Sequence, residues 1–447
     1  MKVHIKWHIA FAIITLISIF GLFWEQDTTF NSNVFNSIES IDKADTAWLL
    51  TSSCLVLLMT PGLSFFYGGM VGSKNVISTM LQSFICLGVI SLIWIAFGFS
   101  LAFGDSSLTV VLDGNTYGLI GNFSQFAFFD QVGFYPHKVI ASSIPFVLFA
   151  MFQMKFAIIT PALITGSFAE RVRFVSYLLF ICLFSIIIYT PLCHAVWHPN
   201  GILGGYFGVK DFAGGTVVHM SAGIAALAGA LFIGKRKNIH HQPTNIPFVL
   251  LGTGMLWFGW FGFNAGSSLA ADGAAATAFA TTTAASAAGM ITWIFFDRIN
   301  GRKVSALGAC IGTVVGLVAI TPAAGFVSVP ESIFFGFITA IVSNLCMHWS
   351  LLKKVDDSLD VFACHGIGGI MGMILTAIFA HGNNASLLHG GISIFGHHMM
   401  ALVLVFILTF FGSIVLFKIT DMIIPLRVSK KSEEIGLDVS QHNESFI

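Results

Sequence analysis

The sequence predicts an all-α polytopic membrane protein of eleven transmembrane helices, arranged as two inverted five-helix repeats plus a final helix, N-terminus out and C-terminus in. Three observations carry this reading: a charge-poor composition, apolar runs of membrane-spanning length, and loop cations gathered on one side. Of 447 residues, 56% are hydrophobic and 9% charged, against about 25% charged in a soluble domain. So little charge cannot cover a water-facing surface, so most of the surface must face lipid. The 45 glycines allow close approach of helices. A net charge of zero leaves no basic field for nucleic acid.

The elements follow in order. Lys2 and Lys6 precede an apolar stretch from His8 to Trp24, a charged n-region followed by an h-region. Residues 1–24 are therefore expected to be a signal peptide or leader helix, with cleavage favoured, followed by an external polar segment over 25–45. Apolar runs of spanning length fall at 46–70, 76–103, 143–168, 174–196, 214–234, 246–268, 275–297, 304–322, 331–351, 360–381 and 398–426. They make up a transmembrane domain over 46–426, followed by a polar cytoplasmic tail over 427–447. The longest polar insertions are 104–137 and 382–397. The seven cysteines lie in or beside apolar runs, so no disulfide framework is expected.

Orientation follows from the short loops. If the first mature helix starts outside, the inner loops hold Lys74, Arg171, Arg173, Lys235, Arg236, Lys237, Arg298, Arg302, Lys303, Lys353 and Lys354. The outer side holds Lys43, Lys138 and Lys210. Such a bias agrees with an odd number of helices.

The fifth run opens with His219 among small residues, and the tenth places His365 in the same setting. Each is the fifth helix of a five-helix block, which suggests an inverted repeat with a pathway at the repeat interface. Gly368 and Gly372 give a GxxxG spacing suited to tight packing. An ionisable side chain at membrane depth is costly and faces a cavity or a partner. Two imidazoles meeting at the midplane could share a proton and line a path; separate packing histidines are the alternative. Asp211 precedes the fifth helix, where a carboxylate caps free amides; a cation-attracting role is compatible with that. Trp197, Trp260, Phe261 and Phe263 gather at or near predicted outer helix ends, Phe152 and Phe156 lie in the third helix, and Ser267 follows one turn beyond Phe263. Aromatic faces bind cations, although an interfacial belt would use the same residues.

Other residues are assigned less. Lys155 lies inside a helix and would repel a cation, so it is expected to pair with an acid or with carbonyls. His194 and His198 have the i, i+4 offset of helical zinc pairs, but Pro199 ends the helix and a third ligand is lacking. The pairs His240–His241 and His397–His398 read as solvated loop or helix-edge residues. There is no Walker A motif, and the Gly366–Gly372 run lacks the strand and spacing of a dinucleotide site.

Five segments then carry a resemblance. Asp211-Phe-Ala-Gly-Gly-Thr-Val-Val-His219, Gly259-Trp-Phe-Gly-Phe-Asn-Ala-Gly-Ser267, Asp360-Val-Phe-Ala-Cys-His365-Gly, Phe65-Phe-Tyr-Gly-Gly-Met70 and the tail run Gly436-Leu-Asp-Val-Ser-Gln-His442 resemble the signatures of the ammonium transporter (Amt/Mep/Rh) family, Amt branch. They occur in order between about residues 42 and 445. The resemblance implies an external ammonium-recruitment site of Phe156, Trp197 and Ser267, and a gate of stacked phenyl rings, Phe156 and Phe263. It implies a twin-histidine pore of His219 and His365, and Asp211 as a structural residue with a role in deprotonation. It also implies a homotrimer in the inner (plasma) membrane, no cofactor, and regulation by a PII-type protein at the cytoplasmic face. His198-Pro199-Asn200 stand where some members have glycines, and Lys155 replaces a small or apolar residue of some members. The competing expectations are a symporter for another small solute, an ammonium sensor and a membrane metalloenzyme.

Overall fold

The computed structural model describes residues 2–24, 30–237, 242–349 and 354–446. The His240–His241 pair and Lys353 lie outside the described residues. The chain is helical almost throughout. A first helix, α1 (Lys2–Phe23), precedes the main body. Ten further helices are long and apolar enough to cross a membrane among the described residues: α2 (Lys43–Met70), α3 (Val76–Phe103), α4 (Phe146–Phe168), α5 (Phe174–Trp197), α6 (Gly215–Ile233), α7 (Ile246–Ser268), α8 (Gly273–Ile299), α10 (Val329–His348), α11 (Phe362–Phe379) and α12 (Ile392–Ile423). A shorter apolar helix, α9 (Ala306–Ile320), lies between α8 and α10. Each expected apolar run is therefore helical, and the leader stretch coincides with α1.

Caps set several helix starts. The Asp42 side chain accepts from the amides of Ala44 and Asp45 and starts α2 at Lys43, ahead of the apolar run. Asn245, Asp272 and Ser305 do the same for α7, α8 and α9. Ser328 and Glu331 form a capping box at α10. These polar residues satisfy amides that a helix start otherwise leaves orphaned. The final helix begins at Ile392, earlier than its apolar run. His397 and His398 therefore lie within α12. The expectation of solvated residues fails: His398 is wholly buried and accepts from the Lys210 amide at 2.9 Å. His397 Nδ1 lies 2.8 Å from the Phe207 carbonyl.

The insertion after α3 holds a two-stranded antiparallel hairpin, β1 (Ser106–Leu112) with β2 (Asn115–Gly121). Asp113 and Gly114 form its turn with φ of +50° and +79°. Two positive φ values in a two-residue loop match the twist of a hairpin. This face is called the hairpin side below. The seven cysteines are free.

The tail folds back on the opposite face. Helix α13 (Lys430–Ile435) leads to Asp438, whose carboxylate accepts from the amides of Ile77 (3.1 Å) and Ser78 (2.7 Å) at the start of α3. Gln441 accepts from the Phe174 amide at 2.8 Å, and Arg427 pairs with Glu433 at 3.0 Å. On this tail side, Arg236 is buried between Glu170 (3.0 Å) and Asp356 (2.7 Å). Arg171 is fully buried and donates to the carbonyls of Gly234 (2.9 Å) and Asp356 (2.8 Å). The sequence marks these arginines only as loop cations; the fold makes them struts between loops.

Candidate functional site

The chain first builds two special helix starts. Asp211 precedes α6, and Gly214 takes φ +120°, a conformation that costs glycine little. The turn this creates aims amides at the carboxylate. Asp211 Oδ1 accepts from Gly214 (2.8 Å) and Gly215 (2.6 Å), and Oδ2 accepts from the Thr216 amide (2.8 Å) and hydroxyl. The carboxylate is thus fully engaged in capping, and it is buried. Its own carbonyl accepts from Trp197 Nε1 at 2.9 Å, so the same loop fixes the indole.

From Gly215 to Met220 the helix opens into a wider turn. The His219 amide bonds the Gly214 carbonyl, five residues back, at 3.0 Å. The start of α11 repeats this over Phe362–Gly366, which contains His365. Such turns shift a side chain off the regular helical track. Helices α6 and α11 also touch backbone to backbone: a Cβ on Gly223 would sit 2.0 Å from the Gly366 nitrogen. Close contact and twin turns bring the two imidazoles together. Nδ1 of His365 is 3.3 Å from Nδ1 of His219, with ring centroids 5.4 Å apart. Both rings are buried.

Aromatic rings from α4, α5 and α7 complete the site. Phe156 stacks on Phe263 with centroids 4.2 Å apart and planes 28° apart. Trp197 meets Phe156 edge-on at 5.8 Å. Trp260 stacks on His219 at 5.2 Å and donates its indole N–H to Thr321 at 2.9 Å. Ser267 gives its hydroxyl proton to the Phe263 carbonyl at 2.8 Å, so its lone pairs are free.

Two spaces result. On the hairpin side, a vestibule of about 210 Å³ is lined by Phe156, Trp197, Ser267, Gln153 and Phe212 among others. Beyond the stacked rings, a cavity of about 10 Å³ is lined by Phe263, Trp260, His219, His365 and aliphatic residues. That volume is about the least that holds one water-sized molecule. Phe156 borders the first space and Phe263 the second, so the stack is the partition between them. His219 Nε2 is buried without a hydrogen-bond partner among the described residues. Two neutral rings facing through Nδ1 share one proton there, so one ring presents an acceptor Nε2 and the other a donor Nε2–H.

The structure therefore gathers Phe156, Trp197, Ser267, Phe263, His219 and His365 around these two spaces, with Asp211 holding the α6 start and the Trp197 indole. Phe152 packs edge-on against Phe156 at 5.0 Å. Phe261 turns away and stacks on Phe279 of α8 at 4.1 Å. His194 and His198 stack at 4.4 Å; His194 Nδ1 lies 3.0 Å from the Ala102 carbonyl, and its Nε2 lies 2.9 Å from the Ser106 hydroxyl. Lys155 is buried in α4, and the expected acid or carbonyl partner is absent among the described residues. Sequence reasoning missed Gln153 in the vestibule and Thr321 behind Trp260. Gln153 carried a signal, since it lies three residues before Phe156 and so on the same helix face.

The model of the Ammonium Transporter Family matches residues 47–446. An ammonium transporter of Bacillus subtilis is 44% identical over 408 residues, which span 90% of this chain and 97% of that protein. A putative ammonium transporter of Methanothermobacter thermautotrophicus is 42% identical, spanning 91% of this chain and 98% of that one. Among solved structures, Mep2 of Saccharomyces cerevisiae superposes with a TM-score of 0.79 at 32% identity, covering 88% of this chain and 89% of that one. A sensor Amt protein superposes at 0.81 with 29% identity, covering 89% and 98%. Together with the apolar helices, these matches make the chain a multi-pass membrane protein and a member of the ammonium transporter family.

Proposed function

We propose that this protein takes ammonium from the vestibule, removes a proton near the Phe156–Phe263 stack, and passes ammonia along His219 and His365. The observation that carries the reading is the partition: a wide polar-aromatic vestibule and a one-molecule cavity lie on either side of one ring pair. An intact cation in the narrow cavity would pay a large desolvation cost, whereas ammonia would pay far less. Before the gate, the faces of Phe156 and Trp197 attract a cation by about 0.5–2 kcal/mol each. Ser267 accepts one N–H. Ammonium can lose its proton to a base or water, and potassium cannot. Beyond the gate, the acceptor and donor Nε2 atoms of the twin imidazoles replace water for ammonia. Asp211 acts through position, since its oxygens are all occupied by the α6 start and its carbonyl holds Trp197.

In this reading the hairpin side is external and the tail side cytoplasmic, in the inner (plasma) membrane. The protein works as a homotrimer with one path per subunit, and a PII-type protein is its partner at the tail face. The proton crosses separately from ammonia, so that transport carries current. The test is current in proteoliposomes. Ammonium should evoke it and potassium should not, and His219→Ala together with His365→Ala should abolish that distinction. Equal potassium and ammonium currents through the unaltered protein would overturn the proposal.

A further inference from the structure

We propose that Gln153 binds the captured cation, as a second hydrogen-bond acceptor besides Ser267. The inference rests on the vestibule being the ammonium-recruitment site. Residues Phe149, Gln153 and Phe156 share one face of α4 by their i, i+4 and i, i+3 spacing, and all three line the vestibule. Gln153 is the polar side chain in that row. Its Oε1 is buried without a hydrogen-bond partner among the described residues. A buried amide oxygen left unpaired is destabilising, and native proteins avoid it unless something recovers the loss. No donor of the described fold does so, and the vestibule lies beside it.

The amide can turn about its terminal torsion, which exchanges oxygen and nitrogen at the cavity wall. With an ammonium ion present, the turned amide offers its oxygen to an N–H. Ser267 has already spent its proton on the Phe263 carbonyl and offers only acceptor lone pairs. The vestibule thus holds two oxygen acceptors and two aromatic faces, Phe156 and Trp197, for the four N–H groups of one tetrahedral donor. An amide oxygen also ligates alkali cations, so Gln153 sets affinity, while exclusion of potassium belongs to the partition beyond it.

The experiment measures ammonium-evoked current in proteoliposomes across concentration for Gln153→Met, Gln153→Glu, Trp197→Leu and Ser267→Ala. Methionine keeps the length and bulk of glutamine without the acceptor. Loss of a hydrogen bond to a charged group raises the half-saturating concentration about tenfold, with the maximal current retained. Glutamate places a charge at the same spot and lowers the half-saturating concentration. An unchanged value in Gln153→Met, or a reduced maximal current alone, overturns the assignment. If Gln153→Met does not insert, an unchanged value in Gln153→Glu overturns it equally. If Trp197→Leu and Ser267→Ala also leave the value unmoved, the recruitment reading itself falls. If they raise it while Gln153→Met does not, only Gln153 is wrongly assigned.

Discussion

Gly223→Ala tests whether helix contact sets the spacing of the imidazoles. A methyl on Gly223 would lie 2.0 Å from the Gly366 nitrogen, 2.3 Å from its Cα and 2.9 Å from the carbonyl carbon of His365. All three are backbone atoms, so no side chain can swing aside. Ordinary contact begins near 3.4 Å, and the difference from 2.0 Å requires about 1.4 Å of separation between α6 and α11. His365 adjoins Gly366 and moves with it. Its Nδ1 lies 3.3 Å from that of His219, so even half of this displacement takes the pair beyond hydrogen-bond reach. Overpacking also costs about 1–3 kcal/mol of stability. The expected result is an ammonium current per inserted protein reduced about tenfold or more, since misplacement near 1 Å is costly to a preorganised site. Gly412→Ala is the matched control, because its methyl would meet only the flexible end of Ile188 at 3.3 Å. If Gly223→Ala conducts like Gly412→Ala, the link from helix contact to pore geometry is refuted.

Other perturbations follow from the same geometry. Asp211→Asn sets an amide nitrogen against amide donors and leaves at least one of them orphaned, which should cost about 1–3 kcal/mol; thermal unfolding in detergent reads it, together with a loosened Trp197. Phe263→Ala merges the vestibule and the cavity, and should admit a potassium current that the unaltered protein lacks. Arg236→Met leaves Glu170 and Asp356 buried and without this partner, at a cost of about 3–5 kcal/mol, measured as a lowered unfolding temperature. Burial works to raise the Asp356 carboxyl, but the Arg236 hydrogen bonds outweigh it and hold it below the usual aspartate range. That contribution is fully present above the ordinary aspartate range and is lost as pH falls through the lowered value. The gap between the unaltered protein and Arg236→Met should therefore narrow in acid.

Helix positions were legible because lipid demands long apolar runs, and a periodic demand of that kind is written in composition. The histidines stood out for the converse reason: an ionisable residue in such a run needs a cause. Asp211 was legible as a cap from its place before Gly214-Gly215. Pairing was not. Nothing local in the sequence says that Phe156 stacks on Phe263 while Phe261 turns to α8, because that depends on how α4 and α7 are rotated against each other. The wide turns at His219 and His365 were equally hidden, since they arise from the carbonyl register of the helix start. The hairpin was readable in principle, as Asp113-Gly114 sits between β-branched runs, but an apolar-run analysis passes over it. Buried Arg171 and Arg236 read only as loop cations because their carboxylate and carbonyl partners lie on distant loops.

The contact between Asp438 and α3 has a bearing on how the chain is made. Asn75, at the head of that helix, supplies no side-chain bond to its amides; the acceptor comes from a residue 360 positions later than Ser78. On a ribosome, the second membrane segment of the main body therefore emerges without its terminus tied off and waits until residue 438 has been synthesised. A nascent chain truncated before Asp438 should keep every apolar span, yet leave the head of this early helix frayed. Two segments far apart in the order of synthesis thus close one helix end between them.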